Sequence, residues 1–103
     1  MEMALTGEPI TAEEALDAGL LSSLTEAGEA LPAAIALAER IAENAPLAVN
    51  ASKTLVRAAA MGIDEDTLWE MQIPLQKSVF SSNDAKEGPV AFAEKRAPNW
   101  TGT

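Results

Sequence analysis

Two adjacent cations, Lys95 and Arg96, lie near the end of a strongly acidic chain. A lysine or arginine side chain can bind a phosphate through charge-assisted hydrogen bonds, and Lys86 adds a third cation in the same part of the sequence. Cations also favour the negative end of a helix dipole, so the pair fits a solvated helix terminus equally well. The residue pattern alone leaves both interpretations open.

Two groups of carboxylates are the other candidates for chemistry. Glu13 and Asp17 are four residues apart and share one helix face, which in principle permits an acid/base pair. A solvated acidic face at the start of a helix is the interpretation that we favour. Asp64, Glu65 and Asp66 are consecutive, so their side chains point in different directions, and helix capping explains them better than a metal site.

Several kinds of catalytic site are excluded by composition. The chain has no His and no Cys, which removes Ser-His-Asp and Cys-His machinery and the common zinc ligands. It contains no glycine-rich loop of the kind that cradles phosphates. We therefore expect no catalytic residue and no metal site in this chain.

Charge and hydropathy limit the partners. The net charge is −9, and residues 1–39 carry eight acidic side chains without any Lys or Arg. The rest of the chain is almost neutral, with no basic stripe, so nucleic acid is not an expected partner. No run of about 18 apolar residues suits a membrane span, and no secretory leader is evident, so we expect no membrane partner and a cytoplasmic location.

The elements that must position these residues are helices. The 103 residues are 48% apolar but only 4% aromatic, and a core rich in Ala and Leu suits closely packed helices. The pattern predicts an all-α fold of four to five helices in a single segment. Residues 1–29 form a link and a short helix, residues 30–61 a helix pair, and residues 64–97 the C-terminal helices.

Local signals predict where several of these helices begin and end. Thr11 and Glu14 have the spacing of a capping box, and Gly19 suits a helix stop. Residues 20–24 form either a strand fragment or an extended connection. Pro74 is expected to kink or interrupt the helix that starts near Asp64. The final helix is expected to run from about residue 84 to about residue 96.

Three stretches resemble the C-terminal part of the enoyl-CoA hydratase/isomerase (crotonase) superfamily. They read LTGEPITAEEALDAGLL, ALAERIAENAPLAVNASKTLV and FSSNDAKEGPVAFAEKRAPNW. The likeness covers essentially the whole chain in order, and the pattern from Phe80 to Pro98 is the most specific part of it.

The resemblance implies an incomplete active site. The family fold has an N-terminal spiral of ββα turns, which holds the oxyanion hole and the catalytic acids, and these elements precede the segment that begins at LTGEPI. The resemblance therefore implies no catalytic residue in this chain and no activity of the chain alone. It leaves open whether the chain is a proteolytic fragment or a truncated gene product.

The resemblance also implies which residues bind substrate. Lys95 would lie near the nucleotide and phosphates of coenzyme A, and Phe92 would belong to the same wall. Gln76 takes a position where some hydratases carry an aromatic residue next to the adenine. Met1 and Leu5 would border the acyl chain. Coenzyme A thioesters would be substrates, and no permanently bound cofactor is expected.

The function implied is that of a helical segment which covers the acyl-CoA site and mediates assembly of an enzyme of fatty acid metabolism. Its partners would be acyl-CoA and either further copies, as a trimer or hexamer, or a missing N-terminal crotonase segment. The alternative is a non-catalytic helical self-association module with no ligand. In either case we expect helix faces that are left exposed when the chain is alone.

Overall fold

Helices make up all the regular structure of residues 2–103, the part of the chain that this computed structural model describes. In chain order they are α1 (Glu2–Thr6), α2 (Ala12–Asp17), α3 (Ala30–Ala42), α4 (Pro46–Ala60), α5 (Glu65–Ser81) and α6 (Asp84–Glu94). The predicted all-α class is confirmed. The described residues form six helices rather than the four to five predicted, because the short segments α1 and α2 are both helical.

The chain divides into two compact units, Met1–Leu37 and Ala38–Thr103, and α3 begins in the first and ends in the second. In the first unit, α2 opens with the predicted capping box. The Glu14 N–H donates to the Thr11 hydroxyl at 3.1 Å, and the Thr11 N–H donates to the Glu14 carboxylate at 2.7 Å. Residues 20–24 belong to no helix or strand, so they form a connection.

In the second unit, α4 packs against α5 and α5 against α6. Pro46 occupies the first turn of α4, where its missing N–H costs nothing. Asp64 caps α5, because its carboxylate accepts from the Thr67 N–H at 2.9 Å and from the Thr67 hydroxyl at 2.8 Å. The Thr67 N–H is the main cause of the lowered pKa of Asp64. The capping interpretation of residues 64–66 is thus supported.

Pro74 does not interrupt α5, which continues from Glu65 to Ser81. The expectation of an interruption is wrong for a physical reason. Proline removes one donor, the one that would reach the carbonyl of Glu70, but its fixed φ is itself helical. The turns on either side keep their own hydrogen bonds, and Leu75 and Val79 are half-buried along the groove between α5 and α4.

The core of the described residues is small. Ala58 and Ala91 are its buried apolar residues, and Ser82 and Asp84 are the buried polar ones. Many large apolar side chains are exposed in the second unit: Ile41, Val56, Met61, Ile63, Trp69, Ile73, Phe80, Val90 and Phe92. None of the helices in residues 2–103 is both long and apolar enough to cross a membrane.

Candidate functional site

Lys95 ends α6 in a left-handed conformation, with φ 54° and ψ 39°. The Lys95 N–H donates to the Phe92 carbonyl at 3.2 Å, and the Arg96 N–H donates to the Ala91 carbonyl at 3.1 Å. This pair of bonds is a Schellman motif, in which the left-handed position is usually Gly. Helix α6 therefore ends at Glu94 rather than near residue 96, and Lys95 lies in a turn that costs a residue with a Cβ about 1–2 kcal/mol.

The two adjacent cations have different environments. The Arg96 guanidinium forms two parallel hydrogen bonds to the Glu87 carboxylate, through Nη1 to Oε1 and through Nη2 to Oε2 at 3.1 Å. Its Nε donates to Glu94 at 2.6 Å. Arg96 is therefore engaged within the chain rather than available for an anion. Among the side chains of residues 3–103, no ion pair involves Lys95.

Glu87 accepts hydrogen bonds from two residues that follow Lys95. Besides Arg96, the backbone N–H of Asn99 donates to Glu87 Oε1 at 2.7 Å. Hydrogen bonding to Arg96, followed by the bond from Asn99, lowers the pKa of Glu87 from 4.5 to about 2. The same carboxylate raises the pKa of Arg96. Both groups therefore stay charged throughout the physiological range.

Asp84, one helical turn before Glu87, holds the end of the chain. Its carboxylate accepts from the backbone N–H groups of Thr101 at 2.8 Å and Gly102 at 3.0 Å, and from the Thr101 hydroxyl at 3.1 Å. Asp84 is 3% exposed, and the Thr101 N–H is the main cause of its lowered pKa. We call these contacts of Asp84 and Glu87 with residues 96–102 the tail clamp.

Trp100 completes the tail clamp by packing. Its indole Nε1 donates to the carbonyl of Glu43 at 2.8 Å, so the tail is tied to the segment between α3 and α4. Its ring lies over Gly88, where an added Cβ would be 3.5 Å from the ring. Sequence reasoning missed Asp84, Trp100 and Thr101 as interacting residues. The available signal was the spacing of Asp84 and Glu87, which places both carboxylates on one face of α6.

The other residues implied by the resemblance lie on separate elements. Phe92 belongs to the last turn of α6, three residues before Lys95, and is 87% exposed. Gln76 is exposed on α5 and lines a groove of about 230 Å³ between α4 and α5, together with Phe80. The structure thus brings Phe92 and Lys95 into one turn and leaves Gln76 on another helix.

The residues expected at the border of the acyl pocket lie in or near α1. Leu5 is 79% exposed in that helix. Met1 lies outside the described residues. The first unit has a shallow polar groove next to α1, lined by Met3, Thr6, Glu8, Pro9, Ile10 and Glu14.

Asp64, Asp84 and Glu87 do not resemble general acids. The pKa of each of these carboxylates is lowered, because each accepts several hydrogen bonds. A general acid at neutral pH needs the opposite displacement. Glu13 and Asp17 are both exposed, as expected for a solvated face. The side chains of residues 3–103 also include no group of three His, Cys, Asp or Glu that could hold a metal ion.

The chain matches known proteins over its full length. The family described as Enoyl-CoA hydratase/isomerase matches residues 1–103. The chain is 43% identical to enoyl-CoA hydratase EchA19 of Mycobacterium tuberculosis over 99 residues, which are 96% of this chain and 37% of the relative. It is 42% identical to carnitinyl-CoA dehydratase of Proteus mirabilis over 104 residues, with 98% of this chain and 40% of the relative covered.

Solved structures agree with these matches. The crystal structure of enoyl-CoA hydratase from M. tuberculosis H37Rv superposes with a TM-score of 0.92 and 52% identity, covering 100% of this chain and 40% of that one. The crystal structure of enoyl-CoA hydratase EchA1 from Mycobacterium marinum superposes with a TM-score of 0.91 and 51% identity, and the match again covers 100% of this chain and 40% of that one. The chain spans about 40% of the length of these relatives. It belongs to the enoyl-CoA hydratase/isomerase family.

Proposed function

We propose that this chain is the C-terminal helical part of an enoyl-CoA hydratase/isomerase that acts on acyl-CoA thioesters, and that Lys95 binds the phosphates of coenzyme A. The observation that carries the proposal is the contrast between the two neighbouring cations. Arg96 is bound by Glu87 and Glu94, while Lys95 lies in a left-handed turn and has no ion-pair partner among the side chains of residues 3–103. An exposed ammonium in a constrained turn suits an anionic ligand.

The remaining substrate contacts follow from the same arrangement. Phe92 offers an exposed aromatic face one turn before Lys95, which suits the adenosine part of coenzyme A. Gln76 would contact the nucleotide from the groove beside α4, and Leu5 and Met1 would border the acyl chain. Coenzyme A is substrate here rather than a resident cofactor. The oxyanion donors and catalytic acids would lie in the 60% of the relatives' length that this chain does not span.

A hybrid enzyme tests the proposal. In it, this chain replaces the matching residues of the crystallised M. tuberculosis enoyl-CoA hydratase, with which it shares 52% identity. Lys95→Gln should raise the KM for crotonyl-CoA about tenfold, the effect of losing one charge-assisted hydrogen bond of about 1.4 kcal/mol, with kcat little changed. Crotonyl-pantetheine, which lacks the phosphorylated nucleotide, should show no change.

Lys53→Gln is the matched control, since Lys53 is an exposed cation on α4 and its loss changes the net charge equally. Equal effects of the two substitutions would reduce the Lys95 result to general electrostatics. Equal effects of Lys95→Gln on the CoA and pantetheine substrates would contradict a phosphate contact.

Self-association without a ligand is the second candidate function. Its support is the exposed apolar surface of α5, where Trp69 is 57%, Ile73 66% and Phe80 72% exposed. Monomeric soluble proteins seldom leave such surfaces uncovered. Titration of the hybrid enzyme with coenzyme A separates the candidates, because a pure association module gives no heat of binding that depends on Lys95.

A further inference from the structure

Glu87 and Arg96 together restrain the turn in which Lys95 lies. Arg96 immediately follows Lys95, and its guanidinium reaches back nine residues along α6 to Glu87. The same carboxylate holds the outgoing backbone at Asn99, at 2.7 Å. The turn is therefore fixed to the body of the helix on its C-terminal side by a side-chain fork and a backbone N–H.

The turn needs this restraint. A lysine gains nothing from the left-handed conformation, which disfavours any residue with a Cβ, and such a conformation persists only where its surroundings impose it. The two Schellman hydrogen bonds alone lie at the end of a helix, where the last turn frays readily. Without the link to Glu87, the backbone at Lys95 would relax and its side chain would take other directions.

An electrostatic role and a positioning role of Glu87 predict opposite effects on phosphate binding at Lys95. Glu87 and Glu94 both form ion pairs with Arg96, so the three side chains together carry a net negative charge close to Lys95. By electrostatics alone, removing either carboxylate would strengthen the binding of a phosphate at Lys95. If Glu87 instead acts by fixing the geometry, its removal weakens that binding.

We infer that Glu87, acting through Arg96, is a positioning residue for Lys95, which it holds in the left-handed turn that directs the ammonium at the phosphates of coenzyme A. This inference rests on the proposed function of Lys95. It assigns Arg96 and Glu87 a role in ligand selectivity although neither needs to touch the ligand.

The test measures the dissociation constants of coenzyme A and of pantetheine for the hybrid enzyme by isothermal titration. Arg96→Lys keeps the charge but loses the planar fork that binds Glu87 through two parallel bonds. Glu87→Gln removes the acceptor charge. Each should weaken the binding of coenzyme A at least about threefold and leave pantetheine unchanged. Neither should have any effect in a Lys95→Gln background, because the cation to be positioned is then absent.

Glu94→Gln is the matched control, since it removes an equal charge from the same guanidinium while leaving the contact with Glu87 in place. Its coenzyme A affinity should be unchanged or higher. Tighter binding in Glu87→Gln, equal losses for coenzyme A and pantetheine, or a loss that persists in the Lys95→Gln background would each overturn the inference.

Failure of the proposed function gives a different result. If Lys95→Gln itself leaves the affinity for coenzyme A unchanged, Lys95 does not bind the phosphates and both proposals are wrong. If Lys95→Gln weakens binding but Arg96→Lys does not, only the positioning role is wrong. Should Glu87→Gln fail to fold, the charge-preserving Arg96→Lys variant decides the question.

Discussion

At the scale of single residues, the two neighbouring cations have different environments. Arg96 is held by Glu87 and Glu94 and stabilises the end of α6. Lys95 occupies a backbone conformation that Gly would adopt more readily. The pair of cations in the sequence indicates an anion site or a helix terminus, but it does not distinguish Lys95 from Arg96, because that distinction depends on a contact nine residues away.

The left-handed backbone at Lys95 predicts that Gly at this position raises the stability of the protein and weakens its binding of coenzyme A. Lys95→Gly should raise the free energy of unfolding of the hybrid enzyme by about 0.5–1 kcal/mol, because relief of the left-handed conformation exceeds the entropic cost of Gly. It should weaken coenzyme A binding as Lys95→Gln does. Urea unfolding and titration measure the two effects. Lys95→Ala, which loses the ammonium but keeps a Cβ, should give no gain in stability, and an equal gain would contradict the assignment of strain.

The lowered pKa of Glu87 predicts how the tail clamp responds to acid. A carboxylate whose pKa falls from 4.5 to about 2 on folding stabilises the folded state fully above pH 4.5, and this contribution is lost as the pH falls towards 2. Trp100 fluorescence, recorded in a Trp69→Phe background, should report release of the tail within this window.

Glu87→Gln is the control for the acid titration, since its side chain does not ionise. In this variant the tail should be less firmly held at neutral pH, and acidification should change the Trp100 fluorescence less. The remaining change in fluorescence should come from Asp84, whose pKa is also lowered. Release of the tail near pH 4.5 in the unsubstituted protein would contradict the strong pairing of Glu87.

At the scale of elements, local patterns predicted helix starts better than helix ends and continuity. The Thr11–Glu14 capping box and the Asp64 cap depend on residues three apart, so the sequence displays them directly. The contact of Asp84 with Thr101 spans 17 residues, and that of Trp100 with Glu43 spans 57, so no local pattern identifies the partner in either contact. These long-range contacts hold the tail.

Pro74 offers a test of helix energetics within α5. Pro74→Ala should raise the free energy of unfolding by about 1–3 kcal/mol, because Ala restores the missing donor and removes the poorest helix former from an exposed position. Pro46→Ala is the control: Pro46 lies in the first turn of α4, so its replacement should lower stability by about 0.4–1 kcal/mol. Equal signs for the two substitutions, measured by urea unfolding, would contradict this account of α5.

At the scale of the whole molecule, the described residues have a small apolar core and a large exposed apolar surface. Ala58 and Ala91 are the apolar side chains that the second unit buries, while Phe92 and Met61 are 87% and 81% exposed. Helices of this kind gain most of their stability from packing against neighbours. The chain spans about 40% of the length of its longer relatives.

The isolated 103-residue chain should therefore self-associate at micromolar concentration, and it should not hydrate crotonyl-CoA. Sedimentation velocity measures the first property, and the absorbance of the enoyl thioester follows the second. Replacement of Trp69 and Ile73 by Gln should shift the sedimentation towards the monomer, whereas Lys53→Gln should not. A stable monomer would contradict the expected self-association. Hydration of crotonyl-CoA by the isolated chain, with its mass verified, would contradict the expected lack of activity.

Chemical reactivity of Lys95 tests the central claim most directly. The hybrid enzyme is treated briefly with an amine-acylating reagent, with and without saturating coenzyme A, and modification is quantified by mass spectrometry at Lys95 and at the control residue Lys53. We expect coenzyme A to slow the acylation of Lys95 several-fold while Lys53 reacts at an unchanged rate. Equal acylation of Lys95 with and without coenzyme A would contradict that claim.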